Sequence, residues 1–91
     1  MDWLNYHHLY YFWVTAKEGS MNKASKKLGV GQPTISTLIK TLEESLEQSL
    51  FDRKNRSLVL TEVGKVVFDY ASQIFALGNE LLEVVKDGTF A

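Results

Sequence analysis

Cysteine is absent from this 91-residue chain, so disulfides, thiol nucleophiles and thiolate metal sites are excluded. Proline occurs once, at Pro33, which leaves few places where a helix is forced to end. No apolar run approaches the ~20 residues that span a membrane. The start, MDWLNYHH, lacks the basic and continuous apolar regions of a signal peptide. A cytoplasmic chain with no membrane association is expected. There is also no nucleophile-base pair, phosphate-binding glycine loop or metal-ligand spacing, so the reading is of a non-enzyme with no cofactor, no catalytic residues and no metal. His7 and His8 do not alter this, because adjacent histidines point to different sides of a helix and no carboxylate accompanies them.

The formal net charge is only -1, whereas nucleic-acid binders are often basic overall. The distribution matters more than the total. From residue 20 to residue 40 the chain holds Lys23, Lys26, Lys27 and Lys40 with no acid, and Arg53, Lys54 and Arg56 cluster further on. Acids gather elsewhere, at Glu43, Glu44 and Glu47 and again at Glu80, Glu83 and Asp87. One basic side and one acidic side are expected, and a local basic footprint is what phosphate contact requires.

The apolar share of 45% is that of one small globular domain. Leu9, Phe12, Trp13 and Ala16 stand at helical spacing and predict a first helix over residues 5 to 17. The aromatic group Trp3, Tyr6, Tyr10, Tyr11, Phe12 and Trp13 is expected to be mostly core, with any surplus at a contact between copies. Gly19 ends that helix and Ser20 caps a short second one, which turns Met21, Ala24, Ser25 and Leu28 to one face. The sequence Leu28-Gly29-Val30-Gly31 makes a glycine corner. Pro33 then marks the start of a third helix, because the N–H it lacks has no partner in a first helical turn. Ile35, Leu38, Ile39, Leu42 and Leu46 face inward, leaving Pro33, Ser36, Thr37, Lys40 and Glu44 outside with Thr34 and Thr41 on the flank.

Two short helices around a glycine corner, the second opening sharply and showing small hydroxyls, form a helix-turn-helix pattern whose second helix enters the major groove of DNA. Short hydroxyls let the backbone approach the duplex and reach base edges and phosphates. Residues 50 to 60, LFDRKNRSLVL, read as two strands around a Lys54-Asn55 turn, a wing with Arg53, Lys54 and Arg56 at its tip. Thr61 caps a last helix of about 37 Å, at 1.5 Å per residue, that runs to about Lys86. It carries two apolar stripes. One is Val67, Tyr70, Ile74, Leu77, Leu81 and Val84; the other is Phe68, Ala71, Phe75, Gly78, Leu82 and Val85. Together they cover roughly 200° of the helix surface, against about 100° for a helix on a single core. One stripe is expected to pack on the domain and one on the same helix of a second copy.

The assembled motifs resemble the N-terminal DNA-binding domain of LysR-type transcriptional regulators over nearly the whole chain. The resemblance rests on Leu9 and Phe12, "GS" at 19 to 20, "AS..LGV.QP..S..IK.LEE.L" from Ala24 to Leu46, "LF.R..R...LT..G" from Leu50 to Gly64, and Ala71. The head, NYHHLYYFW, is also similar to the branch of that family containing a sodium/proton antiporter regulator. The resemblance implies a mainly α, winged helix-turn-helix fold: a three-helix core and two-stranded wing over residues 1–60, then a linker and dimerisation helix over 61–91. It implies a homodimer through the last helix and a double-stranded DNA site made of inverted repeats. A small-molecule effector would act only through a C-terminal domain that these 91 residues do not include. The family's DNA contacts fall here on Gln32, Pro33, Thr34, Ser36, Thr37, Arg53 and Arg56, to which helix geometry adds Lys40 and the wing turn adds Lys54. Departures stand at Ser25, Gly31 and Glu47, where the family usually has alanine, serine and glycine, and at Thr37-Leu38, where Arg-Gln or a similar polar pair is common. Glu47 in particular removes an expected helix stop. The competing reading is a winged-helix module that docks protein or only dimerises, which the acid-free face at the start of the third helix fits less well.

Overall fold

A computed structural model describes residues 3–52 and 58–88. Four helices and a two-stranded hairpin follow in the order α1 (Tyr6–Glu18), α2 (Met21–Leu28), α3 (Gln32–Leu46), β1 (Phe51–Asp52), β2 (Val59–Leu60) and α4 (Glu62–Asp87). The strands pair antiparallel, Phe51 opposite Leu60 and Asp52 opposite Val59. The wing tip, with Arg53, Lys54 and Arg56, lies outside the described residues.

Each helix starts where a short polar side chain or a free carbonyl can take up orphan N–H groups. Asn5 accepts from His8 N at 3.0 Å, Ser20 Oγ from Lys23 N at 3.1 Å and Thr61 Oγ1 from Gly64 N at 2.9 Å. Helix α3 differs: its cap is Gly31, whose carbonyl takes the N–H groups of Thr34 (3.1 Å) and Ile35 (3.3 Å). Pro33 is the second residue of α3 rather than the first, still within the turn whose N–H groups lack helical partners. Gly19 and Gly29 end α1 and α2 in the left-handed conformation, with φ of 71° and 70°.

Glu47 ends α3 in that same conformation, at φ 56°, and its N–H reaches the carbonyls of Glu43 and Glu44. From the sequence, the helix stop is expected to be missing at this position. The stop is kept, and a side chain with a Cβ is held where glycine is ordinarily required.

The core is built around α1, which touches α2, α3 and α4. Because neighbours surround it, α1 buries Tyr11, Val14 and Thr15 in addition to Leu9 and Phe12, more than the single face its 3-4 spacing marks. Thr15 tolerates full burial because its hydroxyl donates to Tyr11 O at 2.7 Å. Ala24 sits without exposure where α2 crosses, Ile35, Ile39 and Leu42 enter from α3, and Leu50 and Phe51 close the base of the wing. The N-terminal aromatics divide: Tyr11 and Phe12 are core, Trp13 is half-buried, and Trp3, Tyr6 and Tyr10 remain exposed.

Helix α4 keeps the expected separation of its two stripes only in part: the buried members, Ala71 and Phe75, both belong to the second. Its N-terminal half packs members of both, with Ala71 and Phe75 buried and Val67, Phe68 and Ile74 half-buried against the core. Its C-terminal half exposes members of both, including Leu77 at 63%, Leu81 at 62% and Leu82 at 60%. The division runs along the helix as well as around it: Tyr70 of the first stripe is exposed at 64% even in the N-terminal half, while 26 residues extend about 39 Å at 1.5 Å per residue and outrun a three-helix core.

Replacing Glu47 by glycine is expected to stabilise the fold by about 0.5–1 kcal/mol, the cost of a left-handed Cβ less glycine's greater unfolded-state entropy. Thermal unfolding should register this as a rise of several degrees, since about 1 kcal/mol shifts a domain of this size by roughly 4–8 °C.

Candidate nucleic-acid interface

The geometry of α3 follows from its three buried residues. With Ile35, Ile39 and Leu42 driven into the core, the opposite face must point outward, since successive residues turn by about 100°. Gln32, Pro33, Thr34, Ser36, Thr37, Lys40, Thr41 and Glu44 are all exposed on it. Pro33, Thr37 and Lys40 occupy a central arc of about 60°. Ser36 lies beside Lys40 on one flank, and Thr34 and Thr41 lie on the other. Thr41 Oγ1 donates to Thr37 O at 2.9 Å; the hydroxyls of Thr34, Ser36 and Thr37 make no hydrogen bond among the described residues.

No acid occurs from Gly19 to Leu42, so the charge presented by α2 and the first three turns of α3 is positive. Lys23, Lys26 and Lys27 stand exposed on α2. The corner between these helices is held by Ser25, half-buried at the crossing, whose hydroxyl donates to Val30 O. Serine in place of the usual alanine therefore still packs and adds a bond across the glycine corner. Lys17, further back, is held over the Trp13 ring at 4.5 Å from its centroid.

The wing is tied to α3 by contacts that sequence patterns do not disclose. Glu43, half-buried on the fourth turn of α3, accepts from Leu50 N at 2.8 Å and Phe51 N at 3.4 Å through one carboxylate oxygen. Thr61 does more than cap α4: its hydroxyl also donates to Ser49 O at 2.7 Å, and its N–H donates to Leu50 O at 3.0 Å. Gly64 is buried beside this junction because a Cβ there would run into the Leu50 carbonyl and meet Leu60 Cδ2 at 3.1 Å. The glycine and threonine of "LT..G" are thus required by the close approach of α4 to the strand leaving α3. Only long-range contacts show this; the local signals at Glu43 and Thr61 are those of a helix surface and a cap.

Residues 6–65, about two thirds of the chain, match the bacterial regulatory helix-turn-helix proteins of the lysR family. The chain belongs to this family. It is a LysR-type DNA-binding domain with the winged helix-turn-helix fold, and the family is one of transcriptional regulators rather than enzymes. It is similar to the transcriptional activator protein NhaR of Escherichia coli, with 45% identity over 86 residues, 94% of this chain and 29% of NhaR. The LysR-type domain thus spans less than a third of that curated relative. Among solved structures it resembles the BenM DNA-binding domain in complex with catB site 1 DNA, with a TM-score of 0.87 and 30% identity over 96% of this chain and 97% of that one. It also resembles full-length CbnR complexed with its target DNA, with a TM-score of 0.79 and 30% identity over 90% of this chain and 28% of that one. Among the described residues of the domain, no helix is long and apolar enough to cross a membrane.

Substituting Glu43 by alanine leaves the N–H groups of Leu50 and Phe51 without their acceptor and is expected to destabilise the fold by about 1–3 kcal/mol. Glu43→Gln, which keeps an acceptor oxygen but not the charge, should lose less. Denaturant titration of the two variants checks both the direction and the order.

Proposed function

We propose that this domain binds duplex DNA sequence-specifically as a homodimer, each copy laying α3 in a major groove and its wing against the flanking backbone or minor groove. The observation that carries the reading is the outward face of α3: small and hydroxyl-rich, free of acid over its first three turns, and opposite three residues that the core anchors. The DNA complexes formed by BenM and CbnR support it. Lys40, with Lys23, Lys26 and Lys27, supplies phosphate contact, and Gln32, Pro33, Thr34, Ser36 and Thr37 approach the bases. Arg53, Lys54 and Arg56 contribute from the wing. Such a role is exercised in the cytoplasm.

The dimer reading rests on the apolar surface that α4 leaves uncovered. Tyr70, Leu77, Leu81 and Val84 are exposed together with Leu82 and Val85, an apolar area of the kind that marks an interaction site. The same helix of a second copy presents matching residues and covers this face by two-fold symmetry. Val67 and Ile74, half-buried against their own core, contribute less than the four exposed members of their stripe. Two copies related in this way read two inverted half-sites, with a separation set by the paired helices.

Selection of bound sequences from random duplex DNA at near-physiological salt tests the main reading. An interrupted inverted repeat is the expected product, and binding without any sequence enrichment would refute base readout. Lys40→Ala and Arg56→Ala should weaken binding to every sequence and lower the salt slope by about one for each phosphate no longer neutralised. Ser36→Ala should instead alter preference at a limited position. For the interface, Leu77→Glu with Leu81→Glu should give a monomer of unchanged helicity in sedimentation and circular dichroism; a persisting dimer would move the contact elsewhere.

A further inference from the structure

The exposed face of α3 is chemically divided. Ser36 and Lys40 make one flank polar and basic. From the centre of the face toward the other flank, Pro33, Thr34, Thr37 and Leu38 line a shallow hollow. No arginine, lysine, asparagine or glutamine contributes to its wall, so the hollow lacks the long polar side chains that make bidentate contacts to guanine or adenine. What it offers is mostly apolar: a pyrrolidine ring, the side of a leucine and two threonine side chains, each with a methyl beside its hydroxyl.

The hollow is also firm. Leu38 is half-buried and packed against the core, so it cannot swing away. Pro33 has a fixed backbone angle and no N–H to present. With these two walls fixed, less entropy is lost when the hollow is filled.

Of the groups displayed in the major groove, the C5-methyl of thymine is the apolar one; the others are hydrogen-bond donors and acceptors. We propose that the Pro33–Thr34–Thr37–Leu38 hollow receives a thymine C5-methyl, and that the methyl of Thr37 determines specificity at that base pair. This rests on the reading of α3 as the helix that enters the major groove. Ser36 and Lys40 on the opposite flank hold the backbone and a neighbouring base edge, so the two sides of one helix read different chemistry. Recognition at this position works through shape and the exclusion of water, not through a hydrogen bond from Thr37.

The test separates the methyl from every other group. Duplexes recovered by selection from a random library are resynthesised with deoxyuridine in place of each thymidine in turn, which removes one methyl and leaves pairing intact. The affinity of the 91-residue chain for each duplex is then measured beside the variants Thr37→Ser, which loses the methyl and keeps the hydroxyl, and Thr37→Val, which does the reverse. At one position per half-site, the wild type should bind the deoxyuridine duplex about two- to fourfold more weakly, the range for up to one buried methyl-sized group. Thr37→Val should keep that sensitivity and Thr37→Ser should lose it. Equal affinity for thymidine and deoxyuridine at every position overturns the inference while leaving DNA recognition standing. Sensitivity retained in Thr37→Ser but lost in Thr37→Val overturns the role of the methyl in favour of the hydroxyl. Failure to bind any duplex overturns the reading of α3 itself, and this inference with it.

Discussion

The packing of Ile35, Ile39 and Leu42 of α3 into the core beside Leu9 and Phe12 of α1 is the constraint on which the rest of the domain depends. A helix anchored by three residues within two turns cannot rotate about its axis without pulling an apolar side chain into water, at about 1.5–3 kcal/mol each. The orientation of the outward face is therefore fixed by the inward one. The choice of small side chains on that outward face then sets how closely a partner can approach.

Two features transmit this fixed orientation to the remainder of the molecule. Glu43 carries α3 into the wing by holding the first N–H groups of the strand segment. Thr61 carries the wing into α4 by bonding at once to Ser49, Leu50 and Gly64. Between them stands Glu47, in a backbone conformation that disfavours any side chain. The strain is local and is outweighed by the hydrogen bonds on either side, so the chain reverses there even without glycine.

Helix α4 shows the opposite condition, a surface with more apolar area than its own domain can cover. Near its middle, Phe75 meets the rings of Tyr6, Trp13 and Tyr10 at centroid distances of 4.9, 5.1 and 5.3 Å, and Trp13 Nε1 donates to Ser72 Oγ at 2.9 Å. Gly78 lies against the Tyr6 hydroxyl, where a Cβ would come within 3.0 Å. This aromatic seam anchors the helix to α1 over its first half. Beyond it the leucines and valines are largely exposed, which is why the proposed dimer is read from them.

Sequence by itself determined the local elements, because their causes are local. The 3-4 spacing of apolar residues, the caps at Ser20 and Thr61, the glycine corner at Gly29 and the single proline are each complete within a few residues. They placed three helices, a wing and a long last helix, and they identified the outward face of α3 residue by residue. The tertiary structure alone decided what depends on neighbours distant in the chain. Tyr11 and Val14 are buried because α1 is surrounded, although a one-sided pattern does not mark them. Glu43 and Thr61 join elements because α3, the wing and α4 converge, and Gly64 is required by that same approach. The two stripes of α4 are equivalent as sequence; which of them the core takes up, and where the core ends along the helix, are properties of three dimensions.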